Sequence, residues 1–217
     1  MAVLFDAAAN AIQTTTSTCV LGMTIANVAG SVLLVGVYNA ALPTSISAVY
    51  ANGIALTQIG RTTYVSASLT VTLFGITNPP FGTVSISCQT VGGLTPVLGM
   101  MAASYNGSGG WGDYVPKSNA SLTSNAVIVY STSNTGRVVL FGACKSTFTA
   151  MNATTRLSDV LHLSLLLADA AGTGTTFSLS VSSNASSQAM IFGGINLYAT
   201  IVGGNTVGLM MMLGAGS

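Results

Sequence analysis

The stretch that decides the fold class is Leu69–Phe74, which reads LTVTLF. Apolar and hydroxyl residues alternate, so the leucines and the valine lie on one face and the threonines on the other, as in a β-strand with one buried face. Thr83–Cys88 (TVSISC) and Phe177–Ser182 (FSLSVS) repeat the alternation. The period of two therefore predicts half-buried strands at these three places.

A second group of segments consists of short apolar runs bounded by turn residues. Such runs are typical of strands that are buried on both faces. They are Ser31–Val37 (SVLLVGV), Ala126–Tyr130 (AVIVY), Arg137–Phe141 (RVVLF) and Met190–Phe192 (MIF). Thr155–Ala168 fits both a helix that begins near Ser158 and an alternating strand, and we favour the strand, preceded by a short turn.

The connections between these segments carry turn residues. Asn52-Gly53 separates two apolar runs and predicts a tight hairpin, because both central residues of a type I′ turn need positive φ. Asn78–Gly82 (NPPFG) predicts a rigid corner where two prolines end the ladder. Ser133–Gly136 predicts a second hairpin between the strands that start at 126 and 137. Frequent turns between short strands predict an all-β, antiparallel β-sandwich, jelly-roll-like or immunoglobulin-like.

No charge run or long low-complexity linker divides the chain. We therefore predict a single domain with terminal arms: residues 1–30 as an N-terminal arm with the first strand, 31–200 as the β-sandwich, and 201–217 as an apolar C-terminal tail. The arm pairs either with the sheet or with a neighbouring subunit. Val32–Gly36 (VLLVG) resembles Val138–Gly142 (VVLFG), which fits repeated strand chemistry as well as duplication.

Charge is the most unusual property of the composition. Only 4% of the 217 residues are charged, against roughly a quarter in an average domain, and the net charge is +1. Five scattered basic residues do not form the patch that binds nucleic acid or an anionic membrane surface. Because half the residues are hydrophobic, disorder is excluded too. We expect no nucleic-acid partner and no membrane partner.

The residues that perform catalysis are scarce. His162 is the one histidine, and Asp159 lies three positions before it, which on a strand places the two side chains on opposite faces. Cys19, Cys88 and Cys144 are widely spaced and have no clustered histidine, so a zinc site is not expected. Free or buried thiols, one disulfide plus a free thiol, and a bond between subunits stay open. We predict that the protein is not an enzyme and has no cofactor and no metal.

A glycine-rich loop, Tyr105–Pro116, contains the single tryptophan. It lacks the Gly-Lys-Ser/Thr ending of a phosphate-binding loop, so a phosphate site is not expected. Trp111, Asp113 and Tyr114 resemble a sugar-binding platform, in which an aromatic ring and a carboxylate contact a saccharide. Contact with a glycan or a partner through these three residues is therefore one possibility, and packing of the loop is the other.

Targeting signals are weak. Met1–Asp6 has an acidic residue where a secretory signal needs basic ones, so we expect no signal peptide. No run of 18 or more apolar residues occurs, so no transmembrane helix is expected. The tail is different, because it places five large apolar side chains in a row. These candidate assembly contacts are Leu209, Met210, Met211, Met212 and Leu213.

Several short motifs together resemble one kind of domain. These motifs are Leu33–Val37 (LLVGV), Val49–Thr57 (VYANGIALT), Asn78–Gly82 (NPPFG), Thr83–Ile86 (TVSI) and Ala102–Gly107 (AASYNG), and the opening Phe5–Ala8 also fits. In this order they resemble a β-sandwich module that is common in bacteriophage virion proteins and in some bacterial surface proteins. The sequence departs from that pattern at Leu73-Phe74, where a tryptophan is often found, and at Ser31, where a basic residue is usual.

The resemblance implies a structural role. It predicts a virion protein, made in the host cytoplasm, that decorates or cements a capsid as a homo-oligomer, in particular a trimer, on the major capsid protein or another virion protein. It provides no catalytic residues. The alternatives are a phage tail or fibre component, a carbohydrate-binding module that uses the Trp111 loop, and a self-assembling bacterial surface subunit.

Overall fold

The computed structural model describes residues 2–14, 17–40, 45–64, 68–91, 97–119, 125–131, 135–144, 148–150, 153–159, 164–174, 176–183 and 190–200. All regular structure in this part of the chain is β-strand. The predicted all-β class is therefore confirmed. Within the same residues, no helix is long and apolar enough to cross a membrane.

The strands fall into two consecutive sets. The first set is β1 (Leu4–Gln13), β2 (Thr18–Ile25), β3 (Val32–Asn39), β4 (Ser45–Ala51), β5 (Ile54–Ala55), β6 (Thr57–Tyr64), β7 (Leu69–Thr77), β8 (Gly82–Val91) and β9 (Leu98–Asn106). The second set is β10 (Ser108–Trp111), β11 (Val115–Asn119), β12 (Asn125–Ser131), β13 (Arg137–Cys144), β14 (Phe148–Ala150), β15 (Thr154–Asp159), β16 (Ser164–Ala171), β17 (Thr176–Ser183) and β18 (Met190–Ala199).

These strands form four antiparallel sheets. Sheet 1 has the order β2-β8-β4-β5, and sheet 2 has the order β1-β9-β3-β7-β6. In sheet 3 the order is β10-β18-β13-β16-β15, with β11 also paired to β18, and in sheet 4 it is β12-β17-β14. Contacts between strands stack the sheets in the order 1, 2, 3, 4. The predicted antiparallel sandwich is confirmed in this form, as sheets packed face to face.

The two strand sets have the same strand order. If β10 and β11 together replace β1, then β2, β3, β4, β6, β7, β8 and β9 correspond in turn to β12, β13, β14, β15, β16, β17 and β18 in both sheets. Only the two-residue strand β5 has no counterpart in the described residues. Val32–Gly36 and Val138–Gly142 lie in the equivalent strands β3 and β13, so the structure favours duplication as the origin of their similarity.

Among the side chains that the structure describes, two hydrophobic cores join sheets 1, 2 and 3. The inner core lies between sheets 2 and 3 and includes Leu34, Leu73, Phe141 and Ile195. The outer core lies between sheets 1 and 2 and is lined by side chains such as Val35. Sheet 2 is therefore buried on both faces, and successive residues of β3 alternate between the two cores.

The position of sheet 2 corrects one prediction. Leu69–Phe74 is a strand, as expected, but it is not half-buried, because Thr70 and Thr72 are buried as well. The alternation did not show that a second sheet covers the threonine face. In β8 the same pattern is read correctly, since Val84 and Ile86 point into the outer core and the residues between them are exposed or half-buried. The strand at Phe177–Ser182 is present, although its side chains lie outside the description.

The fully apolar runs behave as predicted where their side chains are described. Every residue of β3 is buried, and so are Val138–Phe141 in β13 and Ile191 and Phe192 in β18. The stretch for which a helix and a strand competed contains the strands β15 and β16, so its described residues are strand, as we favoured. The alternation is wrong where it can be checked, because Leu165–Leu167 are all buried. The predicted turn is wrong as well, because β15 lies in its place, and residues 160–163 lie outside the described residues. The strand at Ala126–Tyr130 is also present, as part of β12.

The turns confirm two predictions and contradict one. Asn52 and Gly53 have φ values of 48° and 82° and close the β4–β5 hairpin. The Asn78–Gly82 corner separates β7 from β8, which belong to different sheets. Ser133–Gly136 does not close a hairpin, because β12 pairs with β17 in sheet 4 and β13 pairs with β16 and β18 in sheet 3. The connection crosses between sheets, which a turn signal alone does not reveal.

The N-terminal residues belong to the chain's own sheets. β1 pairs with β9 in sheet 2, and β2 pairs with β8 in sheet 1. Of the two alternatives for the arm, pairing with the sheet is the one that the structure shows. The predicted division at residues 30 and 200 concerns folding units, and it stays a prediction.

Candidate functional site

The segment that carries Trp111, Asp113 and Tyr114 was predicted as a glycine-rich loop, and this prediction is wrong. The segment is an interrupted edge strand of sheet 3, because β10 and β11 both pair with β18. Trp111 lies opposite Leu197 and Val115 opposite Gly194 on β18, so β10 and β11 run along one strand with one extra residue between them. The Gly112 amide donates to the Asn196 carbonyl at 2.9 Å across this irregularity.

Tyr114 packs into a slot between sheets 2 and 3. A methyl group on Gly60 of β6 or on Gly193 of β18 would overlap its ring, so both glycines are needed to admit it. Its hydroxyl lies 2.7 Å from Thr62 Oγ1, which donates to the Phe192 carbonyl at 3.2 Å. Burial raises the pKa of Tyr114 to about 12. This side chain therefore ties the two strand sets together.

Trp111 also faces inward. Its indole lies over Gly75 of β7 and packs against the inner core, which leaves it half-buried. Of the three predicted contact residues, only Asp113 is exposed. The structure thus brings the three together in one segment but uses both aromatic rings for packing between sheets. Contact with a glycan or partner through these residues stays a prediction.

A buried charge cluster that we did not predict lies at another place between the same two sheets. Asp169 of β16 has no exposed surface, and it accepts hydrogen bonds from Arg137 Nη2 at 2.6 Å and from Arg156 Nε at 2.8 Å. Tyr105 of β9 donates its hydroxyl to the same carboxylate at 3.1 Å. Burial, together with the Asp169 charge, holds the pKa of Tyr105 well above its ordinary value.

The two arginines of the cluster also contact Val3 and Phe5, near the N-terminus. The Arg156 guanidinium lies 4.2 Å from the centre of the Phe5 ring, a cation–π distance. Arg137 Nη1 donates to the Val3 carbonyl at 3.4 Å. One carboxylate thus connects β1 and β9 of the first set with β13, β15 and β16 of the second. A single aspartate within the apolar run of β16 was the available sequence signal.

Two cysteines form a cross-strand pair in the outer core. Cys19 on β2 lies directly opposite Cys88 on β8, and both are free and buried. A hydrogen bond between the two thiols, together with burial, raises the pKa of Cys19. Of the alternatives that the sequence left open, free and buried thiols are the one that the structure shows for these two cysteines. The side chain of Cys144 lies outside the described residues.

An apolar groove opens at one end of the first strand set. Its volume is about 510 Å³. Three exposed apolar side chains line it, with exposures of 43% for Val28, 51% for Ile54 and 62% for Phe81. The remaining lining comes from the β2–β3 connection, at residues 26, 27, 29 and 31, and from Asn78–Pro80. None of the lining residues is charged, so the groove suits an apolar occupant.

The other predicted residues cannot be placed. His162 and the five apolar residues Leu209–Leu213 lie outside the described residues. Within the described part of the chain, no group of three or more His, Cys or Asp side chains is placed to hold a metal ion. The absence of a metal stays a prediction.

Comparisons with protein-family models, curated proteins and solved structures find no match.

Proposed function

We propose that the protein is a structural virion subunit that decorates or cements a capsid by packing against copies of itself and against a shell protein. The observation that carries this proposal is the outer face of sheet 1. Val20 and Tyr50 are both exposed, and both lie opposite Ser87, one on each side of it. The strands β2, β4 and β8 contain no charged residue. This row therefore places two exposed apolar side chains on an uncharged surface without electrostatic repulsion, which suits a contact between subunits.

The charge cluster strengthens this argument. Three of the nine charged residues, Arg137, Arg156 and Asp169, pair with one another inside the fold. Few charges are then left to keep copies apart, and proteins with little net charge tend to associate. We propose that association occurs through such neutral surfaces and gives a trimer.

The strand order supports a jelly-roll interpretation. In each set, eight main strands divide between two sheets, and most connections pass from one sheet to the other. Jelly rolls of eight strands occur in viral capsid and lectin domains. We favour the capsid role over the carbohydrate-binding role because the rings of Trp111 and Tyr114 pack inward.

The first test is to locate the polypeptide in purified particles by mass spectrometry and to count its copies relative to the major shell protein. Absence from the particle would reject the virion role. The second test uses the purified chain, for which we expect an oligomer by light scattering whose mass hardly changes with salt, because contacts without charge are not screened.

A charge placed in the row tests the surface itself. The double variant Val20→Asp, Tyr50→Asp should shift the protein towards monomer. The control Leu4→Asp adds the same kind of charge at another exposed apolar position and should keep the oligomer. A stable wild-type monomer at micromolar concentration would contradict the proposal, and so would an oligomer that the double variant does not weaken.

A further inference from the structure

The groove lined by Val28, Ile54 and Phe81 lies next to the point where the described chain ends. The Thr200 amide donates to the Gly107 carbonyl at 2.8 Å, and the Ser108 amide donates to the Gly30 carbonyl at 2.7 Å. Thr200 Oγ1 lies only 2.7 Å from the place where a Cβ on Gly30 would stand. Gly30 lies between Ala29 and Ser31, which both line the groove. The chain therefore leaves β18 beside the groove.

The sequence that follows matches the groove in chemistry. Residues 201–217 contain no charge, and their longest apolar run is Leu209–Leu213. The eight residues before this run span up to roughly 26 Å when extended, so the run can reach a groove that begins at the exit point. Unbranched methionine side chains adapt to irregular apolar surfaces.

The size of the groove limits what it can hold. Its volume of about 510 Å³ falls in the range of about 300–1,000 Å³ that is typical of small-ligand pockets. It admits a few side chains but not a folded partner. We propose that the groove binds the Leu209–Leu213 run of the same chain, as an intramolecular contact. This contact would cover the three exposed apolar side chains and the run together, and it does not depend on the proposed virion role.

Methionine methyl NMR on the full chain tests the proposal. The chain has nine methionines, and the Cε methyl signals of Met210, Met211 and Met212 can be assigned by single substitutions to leucine. We expect at least one of these three signals to be displaced from the random-coil position and to show NOEs to Phe81 or Ile54. Random-coil signals without NOEs would overturn the proposal.

Two variants separate groove binding from a general change in the fold. Phe81→Ser and Ile54→Ser should each move the displaced signals towards random coil and abolish the NOEs. Val91→Ser, at an equally exposed apolar position of β8 that does not line the groove, should leave them unchanged. Displaced signals that survive both groove variants would overturn the proposal, provided that circular dichroism shows the wild-type strand content.

A mixing experiment distinguishes the two possible sources of the tail. Labelled and unlabelled chains are mixed, and NOEs between the two kinds of chain are recorded. Intramolecular binding predicts none between the tail methyls and the groove, at any concentration. NOEs between chains would overturn the intramolecular contact and would assign the groove to the tail of a neighbouring copy.

Discussion

Replacing Asp169 tests whether the charge cluster holds the two strand sets together. The carboxylate is fully buried, whereas the side chains of Arg137 and Arg156 are 14% and 23% exposed. Asp169→Ala leaves two guanidinium groups without a counter-ion and removes the acceptor of the Tyr105 hydroxyl. Removing one partner of a buried ion pair costs about 3–5 kcal/mol. The partial exposure of the arginines favours the lower half of that range.

A loss of this size is a large fraction of the stability of a typical domain, about 5–15 kcal/mol. We therefore expect the urea midpoint of Asp169→Ala to fall substantially. Unfolding is followed by circular dichroism and by the fluorescence of Trp111, which lies between sheets 2 and 3 and reports on their separation. The matched control is Asp113→Ala, an exposed carboxylate whose removal should change the free energy of unfolding by less than about 0.5 kcal/mol.

The refuting result is a loss below about 1 kcal/mol in Asp169→Ala, since that is well under the cost of leaving two largely buried guanidinium groups without their counter-ion. A triple variant tests the cause of the loss. Asp169→Leu combined with Arg137→Met and Arg156→Leu removes all three charges at once. Replacing a whole buried network by apolar residues is often neutral, so most of the lost stability should return. A triple variant as unstable as Asp169→Ala would show that unpaired charge is not the cause of the loss. The cause would then be lost packing or the Tyr105 hydroxyl, which has no acceptor in either variant.

Three further predictions concern the sheet contacts. Because burial raises the pKa of Tyr114 from 10 to about 12, the folded protein keeps that proton longer than the unfolded chain, and stability falls between pH 10 and pH 12 by up to roughly 3 kcal/mol; urea titrations should show a smaller fall in Tyr114→Phe. Gly193→Ala should cost about 1–3 kcal/mol because its methyl group overlaps the Tyr114 ring, and a cost that stays the same in a Tyr114→Ala background would contradict this cause. Cys19 and Cys88 should resist iodoacetamide in the folded protein and react after unfolding, as peptide mass spectrometry would show; rapid labelling of the folded protein would refute their burial.

The sequence allowed the strands to be predicted better than the sheets. The burial of β3 and β8 could be predicted from their residue patterns. On a pleated strand, a continuous apolar run indicates two buried faces, and a strict alternation indicates one. Thr70 and Thr72 do not, since a hydroxyl residue is equally compatible with water and with a buried position on a central sheet. The prediction of a hairpin at Ser133–Gly136 was wrong for a related reason. A turn signal shows that the chain reverses, but not which sheet receives the next strand.

The candidate sites divide in the same way. Trp111 and Tyr114 stand out in the sequence as aromatic residues among glycines, and the structure shows that some of the glycines they need lie elsewhere, at Gly60, Gly75 and Gly193. A single sequence does not show which glycine an aromatic ring packs against, because the ring and the glycine are far apart along the chain. The groove is built from three separate connections and could not have been predicted before the topology was known.

The topology also constrains the predicted trimer. Because sheets 2 and 3 pack against each other, the two strand sets turn their remaining sheets outward on opposite sides of the stack. If the Val20–Tyr50 row meets the same row of a second copy, the contact is isologous and closes a dimer. A trimer needs a heterologous contact, in which this row meets a different surface of its neighbour. The mass of the oligomer therefore identifies the kind of contact. A dimer that Val20→Asp, Tyr50→Asp dissociates would mean that sheet 1 pairs with itself. A trimer that survives the same double variant would show that the interface does not lie on sheet 1.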